Sequence, residues 1–211
     1  AYMLPPLIFN WLVRKNGELR QRPITLKKIL CTGFCAGVFM LQLCTGYLFG
    51  FILLILSKPN DKKRLLLHKY CCSVFRWDVK RMPGLKFKYV NNYGEKFLKP
   101  AVIISNHQSL LDSFYLMTLT PRMIMIANDH VGTNLITGRM FRWLGFITVG
   151  MGIDRMIEKV RPYVEQGYSV AIFPEGERPR NISNYVKRFH KGMIEFADDL
   201  KLDIVPIYLH G

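Results

Sequence analysis

The chain has 211 residues, enough for one domain of ordinary size and an additional segment. Its net charge is +15, and residues 1–100 hold 18 of the 30 Lys and Arg residues but only 4 of the 15 Asp and Glu residues. This asymmetry predicts an acidic partner surface, and the apolar stretch nearby favours an anionic membrane over a nucleic acid. The five cysteines follow neither a disulfide nor a metal-binding spacing, which argues against a disulfide-stabilised secreted domain.

Residues 1–13 are apolar and precede a basic connector at 14–28. The first segment has the composition of the end of a membrane segment, so we expect an upstream membrane domain in the same polypeptide. An apolar run at 204–209 lies just before the last residue, and we expect the sequence to be a fragment cut at both ends.

Residues 29–56 contain no charged side chain and have lysines on both sides. As one helix they would extend about 42 Å, against a hydrocarbon core of about 30 Å. Two arrangements are open: a strongly tilted spanning helix, or a break near Thr45-Gly46 that gives two short helices dipping into one leaflet. A soluble core helix is rarely so long, and a signal peptide would be shorter and closer to residue 1. Residues 1–57 are therefore predicted to be a membrane-associated helical segment.

The next segment, Asp61–Arg81, has apolar residues spaced for one face of a basic amphipathic helix. It can lie along lipid headgroups or cover a sheet, and both interpretations stay open. From residue 85 onward strand-like and helix-like segments alternate, which predicts an α/β fold with a mainly parallel sheet flanked by helices. The predicted strands are 85–90, 101–105, 122–127, 145–149, 168–173 and 204–209. The predicted helices are 109–119, 132–143, 154–166 and 187–200.

A cluster of potentially chemical side chains follows the predicted strand 101–105, and its sequence is Asn106-His107-Gln108-Ser109-Leu110-Leu111-Asp112. In one continuous helix His107 and Asp112 would point roughly 140° apart. They meet if His107 lies on the loop and Asp112 in the first turns of the following helix. Asp112 then fixes the tautomer of His107 and leaves the other ring nitrogen as a base for a substrate hydroxyl. The alternative is that Asn106 or Asp112 caps the helix and His107 is an ordinary loop residue.

A second cluster follows the predicted strand 168–173, and its sequence is Phe173-Pro174-Glu175-Gly176-Glu177-Arg178. Gly176 lets the backbone approach a ligand closely, and Arg178 can hold a phosphate through two hydrogen bonds. Arg155, after the strand 145–149, can reach the same edge of the sheet. A charged surface turn and a helix-start charge are the alternatives. A serine hydrolase is disfavoured because no Gly-x-Ser-x-Gly segment is present.

These segments resemble the glycerol-phosphate and lysophospholipid acyltransferases. Residues 106–112 match the family's His-x4-Asp motif, and Gly150-Met151-Gly152-Ile153-Asp154-Arg155 resembles its second motif. Residues 173–178 resemble its Phe-Pro-Glu-Gly-Thr-Arg motif. The closing motifs resemble Phe189-His190-Lys191-Gly192 and Val205-Pro206-Ile207. The motifs occur in order, and the resemblance covers roughly residues 85–211.

The resemblance implies a membrane-associated O-acyltransferase that moves a fatty acyl group from acyl-CoA or acyl carrier protein to a lysophospholipid hydroxyl, as in 1-acyl-glycerol-3-phosphate. His107 would be the general base and Asp112 would orient it. The acceptor would be bound by Arg155, Glu175, Gly176 and Arg178, while residues 205–207 would handle the acyl donor or pack around the site. No metal or other cofactor is implied.

The same resemblance makes residues 58–211 an acyltransferase domain that is truncated at its C-terminal end. We expect a bacterial inner membrane or an equivalent intracellular membrane, with the active site on the cytoplasmic side. A phosphate-free lysolipid acceptor and a non-catalytic membrane-binding module are the alternatives.

One position departs from the family's pattern. The family's Thr is Glu177 here, which places a negative charge beside the arginine expected to hold the acceptor's phosphate. Either Arg180 offsets this charge, or the acceptor is not a simple lysophosphatidate.

Overall fold

The computed structural model describes residues 12–15, 18–21, 25–54, 60–83, 88–107, 109, 111–133, 138–176 and 188–209. Within these residues the strands are β1 (Leu12–Lys15), β2 (Glu18–Gln21), β3 (Ala101–Ser105), β4 (Met123–Ala127), β5 (Ile147–Thr148), β6 (Ser169–Ile172) and β7 (Asp203–Ile207). The helices are α1 (Leu26–Leu54), α2 (Asp61–Arg81), α3 (Leu111–Met117), α4 (Asp129–Thr133), α5 (Gly138–Trp143), α6 (Ile153–Glu165) and α7 (Gly192–Asp199).

The strands β3 to β7 form one parallel sheet in the order β5-β4-β6-β3-β7. This arrangement confirms the predicted α/β class with a parallel sheet. The strands β1 and β2 pair separately and antiparallel, and they overlap the end of the apolar segment 1–13 and the start of the basic connector 14–28. Among the described strands β7 pairs with β3 alone, and such an edge position tolerates Pro206, which lacks an N–H donor.

The two faces of the sheet are covered by different helices. Val102 packs into a cluster that includes Val160 of α6 and Phe196 of α7. Ile103, its neighbour in β3, packs on the opposite face with Leu67 of α2 and Leu116 of α3. Burying one such side chain stabilises the fold by about 1.5–3 kcal/mol. The sheet is therefore the middle of three layers, and only its strand ends are free to form a site.

Several predicted boundaries differ from the structure. The helix predicted at 132–143 is instead two short helices, α4 and α5, and residues 134–137 lie outside the described residues. The strand predicted at 145–149 is only β5, because Val149–Met151 form a 3-10 turn. Of the strand predicted at 85–90, residues 88–90 form no strand and residues 84–87 are not described.

The long apolar stretch forms one continuous helix. The helix α1 passes through Thr45-Gly46 without interruption, so a break at that point is wrong. Among the described helices, α1 is the one whose length and apolar composition would allow it to cross a membrane. It lies antiparallel to α2, where Gln42 Nε2 donates a hydrogen bond to Asp78 Oδ1 over 2.7 Å. Near its end Gly50 lets the Trp143 ring approach, since a Cβ there would lie 2.6 Å from it.

The helix α2 has the predicted bounds Asp61–Arg81 and covers the sheet. It begins at Asn60, whose side chain accepts a hydrogen bond from the Lys63 N–H over 2.9 Å. Its inner face buries Leu67, His68 and the Cys71-Cys72 pair. Of the two roles left open by the sequence, the structure therefore shows that of a covering helix, although basic side chains remain on the outer face.

The buried His68 makes stability depend on pH. Its Nε2–H donates to the Leu144 carbonyl oxygen over 2.8 Å, and burial lowers the pKa of His68 to about 4. The unfolded chain, with a histidine pKa near 6.5, therefore binds this proton more readily than the folded chain. The resulting stability is present above about pH 6.5 and is lost as the pH falls towards 4.

We expect His68→Gln to flatten this dependence, because glutamine can still donate to Leu144 but does not titrate. Urea unfolding at pH 7 and pH 4.5 should show the wild-type protein losing about 2 kcal/mol more than the variant. Equal losses in the two proteins would show that His68 is not the group responsible.

Candidate active site

The strand order places the chemical segments on one edge of the sheet. The turn after β3 and the turn after β6 are neighbours because these strands pair directly. All five strands are parallel, so their carboxyl ends lie on the same edge. The first and third motifs are therefore adjacent in space although they are more than 60 residues apart in sequence.

His107 and Asp112 form the pair that the spacing predicts. His107 lies on the turn after β3 and Asp112 in the first turn of α3, and His107 Nδ1 is 3.0 Å from Asp112 Oδ2. The carboxylate is almost fully buried, while the imidazole keeps 17% of its surface exposed. With Nδ1–H donating to the carboxylate, Nε2 is left to accept a proton from a substrate hydroxyl.

Asp112 also shapes the start of α3. Its Oδ2 accepts the Ser109 N–H over 2.7 Å, while Ser109 Oγ accepts the Leu111 N–H over 3.2 Å. The arrangement is similar to a capping box, although Ser109 Oγ accepts the N–H of Leu111 rather than that of Asp112. Capping and orientation of His107 were alternatives in the sequence, but one carboxylate oxygen serves both.

Two residues of the third motif support His107. The Phe173 ring stacks on the imidazole with 4.1 Å between the ring centroids and an interplanar angle of 18°. Glu175, which is 5% exposed, accepts the His107 backbone N–H at its Oε1 over 2.9 Å. The resemblance assigned Glu175 to the acceptor, whereas the structure shows its carboxylate holding the turn that carries His107. A role in acceptor binding stays a prediction.

Gly176 has the backbone conformation and close neighbour that require glycine. Its φ is +72°, which disfavours side chains, and a Cβ there would lie 3.1 Å from His190 Nε2. The His190 N–H donates to the Pro174 carbonyl oxygen over 3.0 Å. The fourth motif therefore lies against the third.

The two candidate phosphate-binding arginines differ in what the structure describes. Arg155 is exposed in the first turn of α6, on the segment that follows β5 at the same edge of the sheet. Arg178 lies outside the described residues, as do Glu177 and Arg180. The roles given to Arg155 and Arg178 stay predictions.

Sequence reasoning missed two kinds of support around the site. Asn106 binds the segment after β7, because its Nδ2 donates to the Leu209 oxygen over 2.8 Å and its Oδ1 accepts the Leu209 N–H over 2.7 Å. By contrast, residues 205–207 were expected to handle the acyl donor or to pack around the site, and Val205 and Ile207 of β7 pack on the core beside β3. Asn128 and Asp129 directly follow β4, and each forms a hydrogen bond to the segment after a neighbouring strand. They could have been found as polar residues directly after a strand, the rule that identified the other clusters.

The parallel sheet and the His107–Asp112 pair define an α/β protein with a partly exposed histidine oriented by a buried carboxylate. Among the described residues no group of three or more His, Cys, Asp or Glu side chains could hold a metal ion. Residues 88–210 match the family model described as "Acyltransferase", and the chain belongs to that family.

Three curated relatives are named as 1-acyl-sn-glycerol-3-phosphate acyltransferases. The protein of Limnanthes douglasii is 29% identical over 82% of this chain, which spans 62% of that relative's length. The beta form of the human protein is 29% identical over 64% of this chain, and the match covers 51% of that relative's length. The protein of Helicobacter pylori is 30% identical over 51% of this chain, and the match covers 47% of that relative's length.

A solved structure shares the fold. The chain resembles the 1-acyl-sn-glycerophosphate (LPA) acyltransferase PlsC from Thermotoga maritima with a TM-score of 0.61 and 20% sequence identity. The similarity covers 84% of this chain and 72% of the other.

Proposed function

We propose that this protein transfers a fatty acyl group from a thioester donor to the hydroxyl of a lysophospholipid, with 1-acyl-glycerol-3-phosphate as the acceptor. The single observation that supports this most is the oriented His107–Asp112 pair in a member of the acyltransferase family. Conversion of labelled acyl-CoA and 1-acyl-glycerol-3-phosphate to the diacyl product tests the proposal.

The reaction needs no covalent enzyme intermediate. His107 Nε2 takes the proton of the acceptor hydroxyl as its oxygen bonds to the thioester carbonyl carbon. Asp112 stabilises the imidazolium that forms, because it accepts the Nδ1–H. The carbon–sulfur bond then breaks, and the leaving thiolate takes the proton from His107. Each cycle forms one ester and releases one thiol, and the histidine returns to its starting state.

The acceptor is held by its phosphate in this proposal. Arg155 and Arg178 supply positive charge, and the turn at Gly176 allows close backbone approach. Glu175 fixes the catalytic turn from the same motif. The donor is acyl-CoA or acyl carrier protein, both acidic, which suits a chain of net charge +15.

Glu177 makes the acceptor preference testable. If its carboxylate lies within a few ångströms of the bound phosphate, Glu177→Thr should lower the KM for lysophosphatidate. The gain is about tenfold if roughly 1.4 kcal/mol of repulsion is removed. The test is steady-state kinetics with lysophosphatidate and with a phosphate-free lysolipid. An improvement with lysophosphatidate at the expense of the phosphate-free lipid would favour the alternative, a neutral or amine-bearing natural acceptor. No change, or a loss with lysophosphatidate, would show that Glu177 points away from the acceptor.

Attachment to an anionic membrane is the second part of the proposal. The helix α1 exposes large apolar side chains along its length, including Leu30, Phe34 and Leu41, each more than half exposed. Such a surface is unfavourable in water and suits lipid. Basic side chains on the outer face of α2 lie beside it and add attraction to anionic headgroups.

We expect Leu30→Glu with Leu41→Glu to reduce flotation with anionic liposomes severalfold, because two charges would enter the apolar surface. The matched control is Ile194→Glu on α7, which charges a similarly exposed apolar residue away from α1. Flotation of the α1 variant equal to that of the control would contradict membrane contact through this face.

A further inference from the structure

The turn after β4 lies in space between the second motif and the third motif and is a neighbour of both. The sheet order β5-β4-β6 places this turn between the segment that carries Arg155 and the turn at Gly176. In sequence it is remote from both motifs, and neither the family motifs nor the reaction steps use it. Its first two residues are Asn128 and Asp129, both exposed polar side chains.

Each of these side chains bonds to a different flank. Asn128 Nδ2 donates to the Gly176 carbonyl oxygen over 2.8 Å. Asp129 Oδ1 accepts the Gly150 N–H over 3.1 Å. Adjacent residues of one turn therefore hold two separate segments of the site.

The Asp129 contact depends on a glycine. A Cβ on Gly150 would clash with the Asp129 carboxylate, so the carboxylate can reach this N–H only because Gly150 has no side chain. Gly150 belongs to the 3-10 turn Val149–Met151, whose first N–H groups lack acceptors within the turn. Gly152 then caps α6, and Arg155 lies in its first turn. Holding Gly150 in place therefore also fixes the position of the Arg155 backbone.

We propose that Asn128 and Asp129 are positioning residues that hold the Gly150–Arg155 segment and the Gly176 turn at the spacing needed to bind the acceptor's phosphate. The inference rests on the proposed function. Neither residue needs to touch the substrate. Loss of either bond should weaken acceptor binding and leave proton transfer at His107 intact.

The test compares full-length variants in steady-state kinetics with 1-acyl-glycerol-3-phosphate at saturating acyl-CoA. Asp129→Ala and Asn128→Ala should each raise the KM for the acceptor about threefold to tenfold, with kcat within about twofold. Asp129→Asn should restore a KM near the wild-type value, because its amide oxygen can accept the same hydrogen bond. Thr133→Ala is the matched control, since the hydrogen bonds of its hydroxyl go to carbonyl oxygens within α4 and not to Gly150 or Gly176.

Gly150→Ala provides an independent variant because it should displace the same carboxylate. Its KM should resemble that of Asp129→Ala, and the double variant should be no worse than either single variant. An unchanged KM in Asp129→Ala would overturn the proposal. So would an Asp129→Asn variant as impaired as the alanine variant, or a fall in kcat at constant KM.

Amide exchange at Gly150 separates this proposal from the proposed function. Asp129→Ala should accelerate exchange of the Gly150 N–H relative to the wild-type protein and Asp129→Asn. If the wild-type protein transfers no acyl group, the proposed function fails, and the exchange rates still test the anchoring. Equal exchange rates in all three proteins would overturn it.

Discussion

Replacing His107 with alanine should reduce the rate of acyl transfer by about 10²–10⁴-fold. That is the range that a general base contributes. The His107 ring is partly exposed and is oriented by a buried carboxylate. Among the described residues the imidazole has that bond and the stack on Phe173, and we expect the fold to survive the loss of both. The measurement is kcat with 1-acyl-glycerol-3-phosphate, together with the melting temperature.

His130→Ala is the matched control, since it removes an exposed histidine from α4 on the same edge of the sheet. It should retain wild-type turnover. Near-normal turnover in His107→Ala, with the protein folded, would show that another group activates the hydroxyl.

Changing Asp112 to asparagine should lower kcat by about 10²-fold, equivalent to ~2.7 kcal/mol of transition-state stabilisation. The asparagine oxygen can still accept the Ser109 N–H, so the capping arrangement is kept. In that position the same oxygen can also accept the His107 Nδ1–H, but it carries no charge to stabilise the imidazolium. The KM for the acceptor should stay within a few fold.

The control for Asp112→Asn is Ser109→Ala, which removes only the capping hydroxyl. It should cost about 1 kcal/mol in stability and leave kcat nearly unchanged. If Ser109→Ala lowers kcat as much as Asp112→Asn does, the effect of Asp112 is structural and the assigned role is wrong.

Local sequence patterns predicted the parts of this structure that depend on neighbours in the chain. Helix geometry excludes contact between His107 and Asp112 within one helix, so the spacing predicts that they meet only with His107 on the loop and Asp112 in the helix, and the structure has this arrangement. Apolar periodicity likewise gave the bounds of α2. Both results follow from a few residues and a fixed helical repeat.

Patterns of this kind do not determine which strands become neighbours. Strand β4 comes before β5 and β6 in the sequence. In the folded sheet it lies between them, so the turn after β4 lies between the turns that follow β5 and β6. The contacts of Asn128 and Asp129 therefore could not be read from spacing. Similarly, the Glu175 carboxylate was assigned to the acceptor, and its bond to the His107 N–H depends on the pairing of β3 with β6.

The uninterrupted helix α1 shows a different limit. Thr45-Gly46 has the composition of a helix break, but Gly46 lies against Met140 and Tyr70, and Gly50 lies against Trp143. These glycines serve close packing by helices distant in sequence, and that packing outweighs their weak helix propensity.

The central claim is transfer of an acyl group to a hydroxyl activated by His107. Incubation of the purified protein with radiolabelled acyl-CoA and 1-acyl-glycerol-3-phosphate, with free thiol and lipid products measured together, tests it most directly. We expect one diacyl product for each thiol released, and loss of both in His107→Ala. Thiol release matched by free fatty acid would mean hydrolysis, and absence of thiol release from the folded wild-type protein would contradict catalysis with this donor.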